Sequence, residues 1–424
     1  MLLGAVLIPS TRFIKSYKDH PDHGQNLDLK INSSSKDPDP KAIAKYLDEY
    51  RNMLLGLKLT REAKINAIGV FDTVGALGIP VTPYFQKLGL PTFLHSYKWT
   101  DTKLDNHVKY AFQALALDEK RSPFYPSIWE RSEDCTAQLK QVWFAGVHTN
   151  IGGGAVDESS SNITLAWMMD QLSGDSLRNS KPEDWHVHDW LEFKPEYLSE
   201  QYRRNRQYHE RLGLKRTWGM GILHNSLKGL TALPGQKTRA PGRTRPFVHN
   251  GDYVDDTRLL RNTNEMIHAS VRARIDMGGA SFEVEPEANG KPDWGLHAIV
   301  TKSLQHLIGK KRTLYAPQHH HGALVGWELK DAHKSHKEGQ HNDIDDDETT
   351  PPVWVYVGDD ELVPKDAVLP EDVLGTHEVA FLRMYHDHVV SIEATNLGVK
   401  STAVLAKEAE RKRQGSQGER AATM

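Results

Sequence analysis

The sequence predicts an α/β fold in which a parallel sheet carries helices on both faces. Residues 65–71 and 141–147 are short apolar segments rich in β-branched and aromatic side chains, a pattern that favours buried strands. Residues 40–57 and 163–172 instead place apolar side chains three and four positions apart, which is the periodicity of a helix. Helices that alternate with strands in this way predict a parallel sheet with helices packed on its faces.

Each predicted helix has one apolar face. In the first helix, this face carries Ile43, Tyr46, Leu47, Tyr50 and Leu54. In the second helix, it carries Leu165, Met168, Met169 and Leu172. The two predicted strands end in polar side chains, the first at Asp72 and the second at His148.

After the second helix, the pattern becomes less regular. Residues 173–256 are rich in Arg, His, Trp, Gly and Pro, and we interpret them as an irregular insertion with short helices. Order returns at residues 263–275, so we predict one domain over residues 1–332. Residues 333–352 are rich in His, Asp, Lys and Glu, which predicts a charged, solvated linker.

The end of the chain predicts a small C-terminal segment, residues 353–400, followed by a tail. Two apolar runs in this segment, residues 353–357 and 379–384, are interpreted as strands. Residues 401–424 are charged and rich in Gln, Gly and Ser, so we predict that this tail is disordered.

The composition excludes several classes of protein. A net charge of -3 over 424 residues gives no reason to expect a nucleic-acid partner. The sequence has no apolar run of about 18 residues, the length needed for a transmembrane helix. Cys135 is the single cysteine, and the apolar start lacks the charged region of a signal peptide. These features predict a cytoplasmic protein and leave its oligomeric state open.

Asp72 and His148 are the strongest candidates for chemistry. Catalytic side chains of parallel α/β sheets lie just past the carboxyl ends of strands, where both residues are predicted. An Asp followed by a His at such positions has the order of the last two members of a Ser-Asp-His relay. The competing interpretation is that Asp72 caps a turn. Gly152 and Gly153, which follow His148, would allow close approach of backbone and substrate, so we place them in a possible pocket.

Longer motifs surround these two residues. They are residues 68–75 (IGVFDTVG), residues 114–121 (ALALDEKR) with Phe124, Pro126 and Trp129, and residues 142–154 (VWFAGVHTNIGGG). This succession resembles an uncharacterised α/β-hydrolase family that includes the catalytic domains of type VI secretion phospholipase effectors, and it is most similar to the fungal members. The resemblance covers residues 1–275. It implies an α/β-hydrolase fold, ester or lipid substrates, and catalytic roles for Asp72 and His148.

The chain departs from that family's pattern in two places. No Gly-x-Ser-x-Gly elbow, which supplies the family's nucleophile, occurs in the sequence, and residues 1–8 resemble the helix that follows the elbow. We therefore expect an N-terminally truncated chain with an incomplete sheet, inactive as given; the alternative is an inactive remnant that serves as a binding or interaction module. Asn150 stands where the family usually has an acidic residue, and it is a further candidate for the pocket.

The remaining candidates have more ordinary interpretations. His268 could line the pocket or replace His148, although a core histidine with a hydrogen-bond partner is favoured. Asp118 could serve as a second acid, although a residue that caps a turn and pairs with Arg121 is favoured. Ser176 lies in a Gly-Asp-Ser-Leu sequence without the structural context of an esterase nucleophile. Neither a cofactor nor a metal is predicted. The neighbouring histidines at residues 319–321 and 386–388 lack the spacing of zinc ligands, and the acidic residues 343–348 lack that of a calcium loop.

Overall fold

A computed structural model describes residues 40–60, 65–74, 103–104, 106–173, 191–194, 196–227, 236–246, 258–281, 313–330 and 352–385. The chain divides into two compact units, residues 1–64 and residues 65–424. In the first unit, helix α1 spans Pro40–Gly56, as the apolar periodicity predicts. The predictions for residues 1–8, 174–176, 333–351, 386–400 and 401–424 lie outside the described residues.

The second unit is built on a seven-stranded sheet. In chain order the strands are β1 (Ile65–Phe71), β2 (Val108–Ala116), β3 (Gln138–Phe144), β4 (Glu265–His268), β5 (Trp327–Lys330), β6 (Val353–Tyr356) and β7 (Val368–Asp372). Their spatial order is β1-β2-β3-β4-β7-β6-β5. The pairs from β1 through β4 to β7 are parallel, whereas β7-β6 and β6-β5 are antiparallel. The α/β fold class is confirmed, although the sheet is mixed and not wholly parallel.

The second unit contains five α-helices in the described residues. They are α2 (His148–Gly152), α3 (Ser159–Leu172), α4 (Glu196–Arg211), α5 (Ala269–Asp276) and α6 (Thr376–Arg383). Two sequence predictions are wrong here. The stretch interpreted as irregular with short helices contains α4, a helix of 16 residues. Residues 379–384, interpreted as a strand, lie in α6 apart from its C-cap Met384.

Two apolar clusters cover the two faces of the sheet. On one face, α3 and α6 pack against β2 and β3, with Trp167 and Phe381 fully buried and Phe144 edge-on to Trp167 at 5.6 Å. On the other face, the alternate side chains of the same strands, such as Trp143, meet Leu223, Leu324 and other residues from connecting segments. The sheet is therefore packed on both faces. The C-terminal ends of its parallel strands lie where catalytic side chains are expected in this class of fold.

The C-terminal strands form part of the same sheet. β7 pairs with β4, and the Trp167 indole N–H donates a hydrogen bond of 2.8 Å to Asp372 at the end of β7. Asp170 of α3 accepts the backbone N–H groups of His377 and Glu378 at the start of α6. Residues 353–385 thus complete the core of the unit, in place of the small separate segment that the sequence suggests.

Candidate active site

Asp72 and His148 meet at the carboxyl ends of the parallel strands. Asp72 directly follows β1, and His148 is the first residue of α2, shortly after β3. Nδ1 of His148 lies 2.7 Å from Oδ2 of Asp72. Residues 76 positions apart in the sequence are therefore in direct hydrogen-bond contact.

The backbone at Asp72 directs its carboxylate over the end of β2. Asp72 has a φ of 47°, a left-handed conformation that Asp tolerates better than most side chains. Its N–H donates to Ala114 at 2.7 Å, and its Oδ1 accepts the N–H of Ala116 at 2.9 Å. The carboxylate is fully buried, so its charge needs partners inside the protein.

Arg239 supplies the charge that balances Asp72. Its Nη1 lies 2.6 Å from Oδ1 and its Nη2 lies 3.0 Å from Oδ2, which makes a bidentate ion pair. Burial opposes ionisation, but Arg239 and the hydrogen bonds from His148 and Ala116 outweigh it and lower the pKa of Asp72 to about 2. The carboxylate is therefore ionised at neutral pH. Arg239 was not predicted from the sequence, because it lies in the stretch interpreted as an irregular insertion.

The ionised carboxylate sets the tautomer of a neutral His148. An ionised carboxylate can only accept, so Nδ1–H of His148 donates to Asp72 and Nε2 is left as an acceptor. Among the described residues no group is hydrogen-bonded to Nε2, and the His148 side chain is 32% exposed. This geometry presents a proton acceptor toward solvent, which is the arrangement of a general base.

A second set of contacts, from Phe124 and Glu119, also holds His148. The Phe124 ring packs edge-on against the imidazole, with 5.2 Å between centroids, and the Arg121 guanidinium lies 3.6 Å from the Phe124 ring centre. Arg121 pairs with Glu119, whose Oε2 accepts the backbone N–H of His148 at 3.3 Å. The expected pair of Asp118 with Arg121 is wrong, because Glu119 takes that place.

Asn150 holds the turn that leads into α2. Its Oδ1 accepts the N–H groups of Val147 and His224, both at 3.2 Å, and its Nδ2 donates to the carbonyl of Ile222 at 2.8 Å. These bonds tie the backbone just before His148 to the segment that carries Ile222 and His224, and Asn150 is buried. Gly152 is exposed, with open space where a Cβ would lie, and Gly153 has a φ of 86°.

The part of the chain that carries Asp72 and His148 is similar to a known family. Residues 11–171 match the family model described as "T6SS, Phospholipase effector Tle1-like, catalytic domain". Residues 11–171 are related to this phospholipase family. The matched range contains Asp72, His148 and Asn150, whereas Arg239 and His268 lie beyond it. No curated protein and no solved structure matches the chain.

His268 lies outside the range related to the phospholipase family and is a core residue. It is fully buried at the end of β4, stacked on Phe144 with 4.3 Å between centroids. Its Nδ1 contacts Ser270 Oγ at 2.7 Å and its Nε2 contacts Glu378 at 2.6 Å. Ser, His and Glu are residue types of a catalytic relay, but all three are buried, and Nδ1 also accepts the Ser270 N–H as a cap of α5. The structure favours a core role over the pocket.

Two further candidates from the sequence are Asp118 and the three consecutive histidines at residues 319–321. Asp118 accepts the N–H of Gly146 at 2.7 Å and the hydroxyl of Tyr315 at 3.0 Å, and burial raises its pKa to about 6. His319, His320 and His321 lie in an exposed turn. Within the described ranges, no three His, Cys, Asp or Glu side chains are grouped to hold a metal, and no helix is long and apolar enough to cross a membrane.

Proposed function

We propose that Asp72 and His148 are the acid and base of an ester hydrolase that acts on lipid esters. The observation that carries this proposal is the 2.7 Å contact between Nδ1 of His148 and the buried carboxylate of Asp72, with Nε2 left as an acceptor. The relation of residues 11–171 to a phospholipase catalytic domain supports the lipid class of substrate.

In the proposed reaction, His148 moves a proton at Nε2. Nε2 first takes the proton of the nucleophile's hydroxyl as the hydroxyl oxygen adds to the ester carbonyl. The imidazolium then gives that proton to the leaving alcohol. A water molecule later releases the acyl group by the same proton transfers. Asp72 keeps the ring in the Nδ1–H tautomer and stabilises the imidazolium that forms, without becoming protonated itself.

A non-catalytic binding module is the second candidate function. The observation in its favour is that no Gly-x-Ser-x-Gly occurs in the 424 residues, so a nucleophile elbow of the family's type is not among them. In that case Asp72 and His148 would be inherited from a hydrolase, and the protein would act through a surface that recognises a partner.

Transcript sequencing through the 5′ end distinguishes the two functions. We expect an in-frame Gly-x-Ser-x-Gly upstream of Met1, and the protein encoded by that transcript should hydrolyse p-nitrophenyl esters and phospholipid vesicles. A transcript without an elbow, together with no hydrolysis and no labelling by a fluorophosphonate probe, would favour the binding module.

The variants His148→Gln and Asp72→Asn test the roles of the two residues in that active protein. We expect each to lower kcat by about 10⁴-fold, because one removes the base and the other its fixed tautomer. His320→Gln is the matched control, since His320 is exposed in a turn. Hydrolysis that persists at the wild-type rate in His148→Gln would contradict the proposed function.

A further inference from the structure

Arg239 contacts both groups that hold the His148 ring. Its guanidinium makes two contacts with Asp72, and Nη2 also donates to the carbonyl of Phe124 at 2.7 Å. Asp72 accepts from Nδ1 of His148, and Phe124 packs edge-on against the imidazole. One side chain, 1% exposed, thus joins the polar and the aromatic contact of a single ring.

Four hydrogen-bond donors hold the Asp72 carboxylate in one orientation. Oδ1 accepts from Ala116 and Arg239, and Oδ2 accepts from His148 and Arg239. These four contacts occupy about the four lone-pair sites that a carboxylate offers. Without Arg239, one contact on each oxygen would be lost, and the buried charge would keep only the hydrogen bonds from Ala116 and His148.

The segment that carries Arg239 is itself fixed beside the site. The N–H of Lys237 donates to the carbonyl of Lys120 at 2.8 Å, and Arg121 and Gln236 form a β-bridge. Beyond Arg239, the N–H of Gly242 donates to the buried carboxylate of Glu265 at 2.9 Å. Contacts on both sides of Arg239 therefore set the direction from which its guanidinium reaches Asp72.

We propose that Arg239 is a positioning residue of the Asp72–His148 pair, a role that rests on the proposed function. Arg239 fixes the carboxylate and the backbone carbonyl of Phe124 together, so that the imidazole keeps its Nδ1–H tautomer and presents Nε2 in one orientation. It acts through Asp72 and Phe124, and it exchanges no proton with the substrate.

Histidine NMR of the full chain tests this proposal without relying on hydrolysis. In protein labelled with ¹⁵N-histidine, the His148 ring signals are assigned by their absence in His148→Gln. Wild type should show a single Nδ1–H tautomer with a downfield proton resonance. Arg239→Gln should lose that resonance, and Arg239→Lys should shift and broaden it, since an ammonium cannot bridge both carboxylate oxygens in the same plane.

Arg272→Gln is the matched control for the loss of a buried ion pair. Arg272 pairs with Glu371 through Nε at 3.0 Å and Nη2 at 2.8 Å, and both side chains are buried. This variant should leave the His148 signals unchanged. Folded Arg239 variants with a wild-type His148 resonance would overturn the proposal. So would unfolding of both Arg239 variants, which would make Arg239 a folding element.

The NMR test of Arg239 and the hydrolysis test of His148 can succeed or fail independently. If His148→Gln abolishes hydrolysis while the Arg239 variants keep the wild-type resonance, the proposed function stands and the role of Arg239 fails. If the Arg239 variants change the resonance but His148→Gln leaves hydrolysis intact, the positioning contact exists and the proposed function fails.

Discussion

Asn150 fixes the backbone before His148 through both ends of one amide group. Its oxygen accepts two N–H groups and its nitrogen donates to the carbonyl of Ile222. A carboxylate at this position could accept the same N–H groups but could not donate. The Asn150 amide therefore satisfies two backbone N–H groups and one carbonyl, and a carboxylate could not bond to all three.

Asn150→Asp should destabilise the protein by about 2–3 kcal/mol. The change places a buried carboxylate oxygen opposite the Ile222 carbonyl, where the amide now donates a hydrogen bond. Urea unfolding at pH 7 measures the difference. Asn225→Asp is the control, because exposed Asn225 accepts the Leu227 N–H through its side-chain oxygen, which a carboxylate can also do. Equal stability of the two variants would contradict this account of Asn150.

Asp118 should make stability depend on pH. Burial raises its folded-state pKa to about 6, so its contribution to stability is complete below the unfolded-state pKa and is lost as the pH rises through about 6. Asp118→Asn keeps an acceptor for Gly146 and Tyr315 and does not titrate. Between pH 4 and 7, as estimated from the shift, the variant should gain on the order of 2 kcal/mol relative to wild type. Parallel stability curves in urea would contradict this.

At the residue scale, the sequence predicted Asp72 and His148 but missed Arg239. The first two follow apolar strands, so their position could be inferred from local pattern. Arg239 lies 167 residues from Asp72 in a stretch without clear periodicity, and a buried arginine is recognised only when its partner is known. The nearest signal is the Ala-Pro-Gly turn that follows it.

At the element scale, the short helix α2 depends on the conformation of Gly146. Gly146 has a φ of 122°, and a Cβ there would lie 2.5 Å from the Cβ of Asn150. The glycine therefore allows the chain to turn from β3 into α2 while Asn150 packs against the turn. The position of His148 at the start of α2 follows from this turn.

Gly146→Ala should destabilise the protein by about 2–4 kcal/mol and lower hydrolysis by the active protein. The methyl group imposes backbone strain and displaces Asn150. Gly152→Ala is the matched control in the same helix, since it has open space at its Cβ position, and it should be neutral or stabilising. Thermal unfolding and ester hydrolysis measure both effects. If the two variants behave alike, the turn does not require glycine.

Elements with a clear local pattern were predicted, and elements defined by packing were not. The periodicity of α1 and α3 and the apolar run of β1 gave their positions to within a few residues. β2 is buried along nearly its whole length but was not assigned as a strand, because its apolar run is interrupted by Lys109 and Gln113. Residues 379–384 resemble a strand in composition, yet Glu378 caps Gly375 at the start of α6.

At the scale of the whole molecule, β1 is one of the two edge strands of the sheet within the described ranges. Within the described ranges it pairs with β2 alone, and its residues are less buried than those of β2. Exposed edges of apolar strands pair with other chains. The incomplete sheet expected from the sequence would leave such an edge.

Ile65→Lys should reduce self-association of the chain. Ile65 is 40% exposed at the start of β1, where a charge opposes edge-to-edge pairing at little cost to the core. Sedimentation velocity at several concentrations measures the effect, with Val156→Lys, at an exposed position outside the strands, as the control. A monomeric wild type with one sharp thermal transition would contradict the expected association.

The insertion of β7 beside β4 also determines when the protein can fold during synthesis. Ile267 of β4 pairs with Glu371, and Trp167 bonds to Asp372, so the centre of the sheet is completed by residues near the end of the chain. While the ribosome is still making residues 268–367, β4 lacks its second neighbour and the apolar face of α3 lacks α6. A nascent chain in this state exposes apolar surface of the kind that is prone to aggregate until the last strands and α6 are in place.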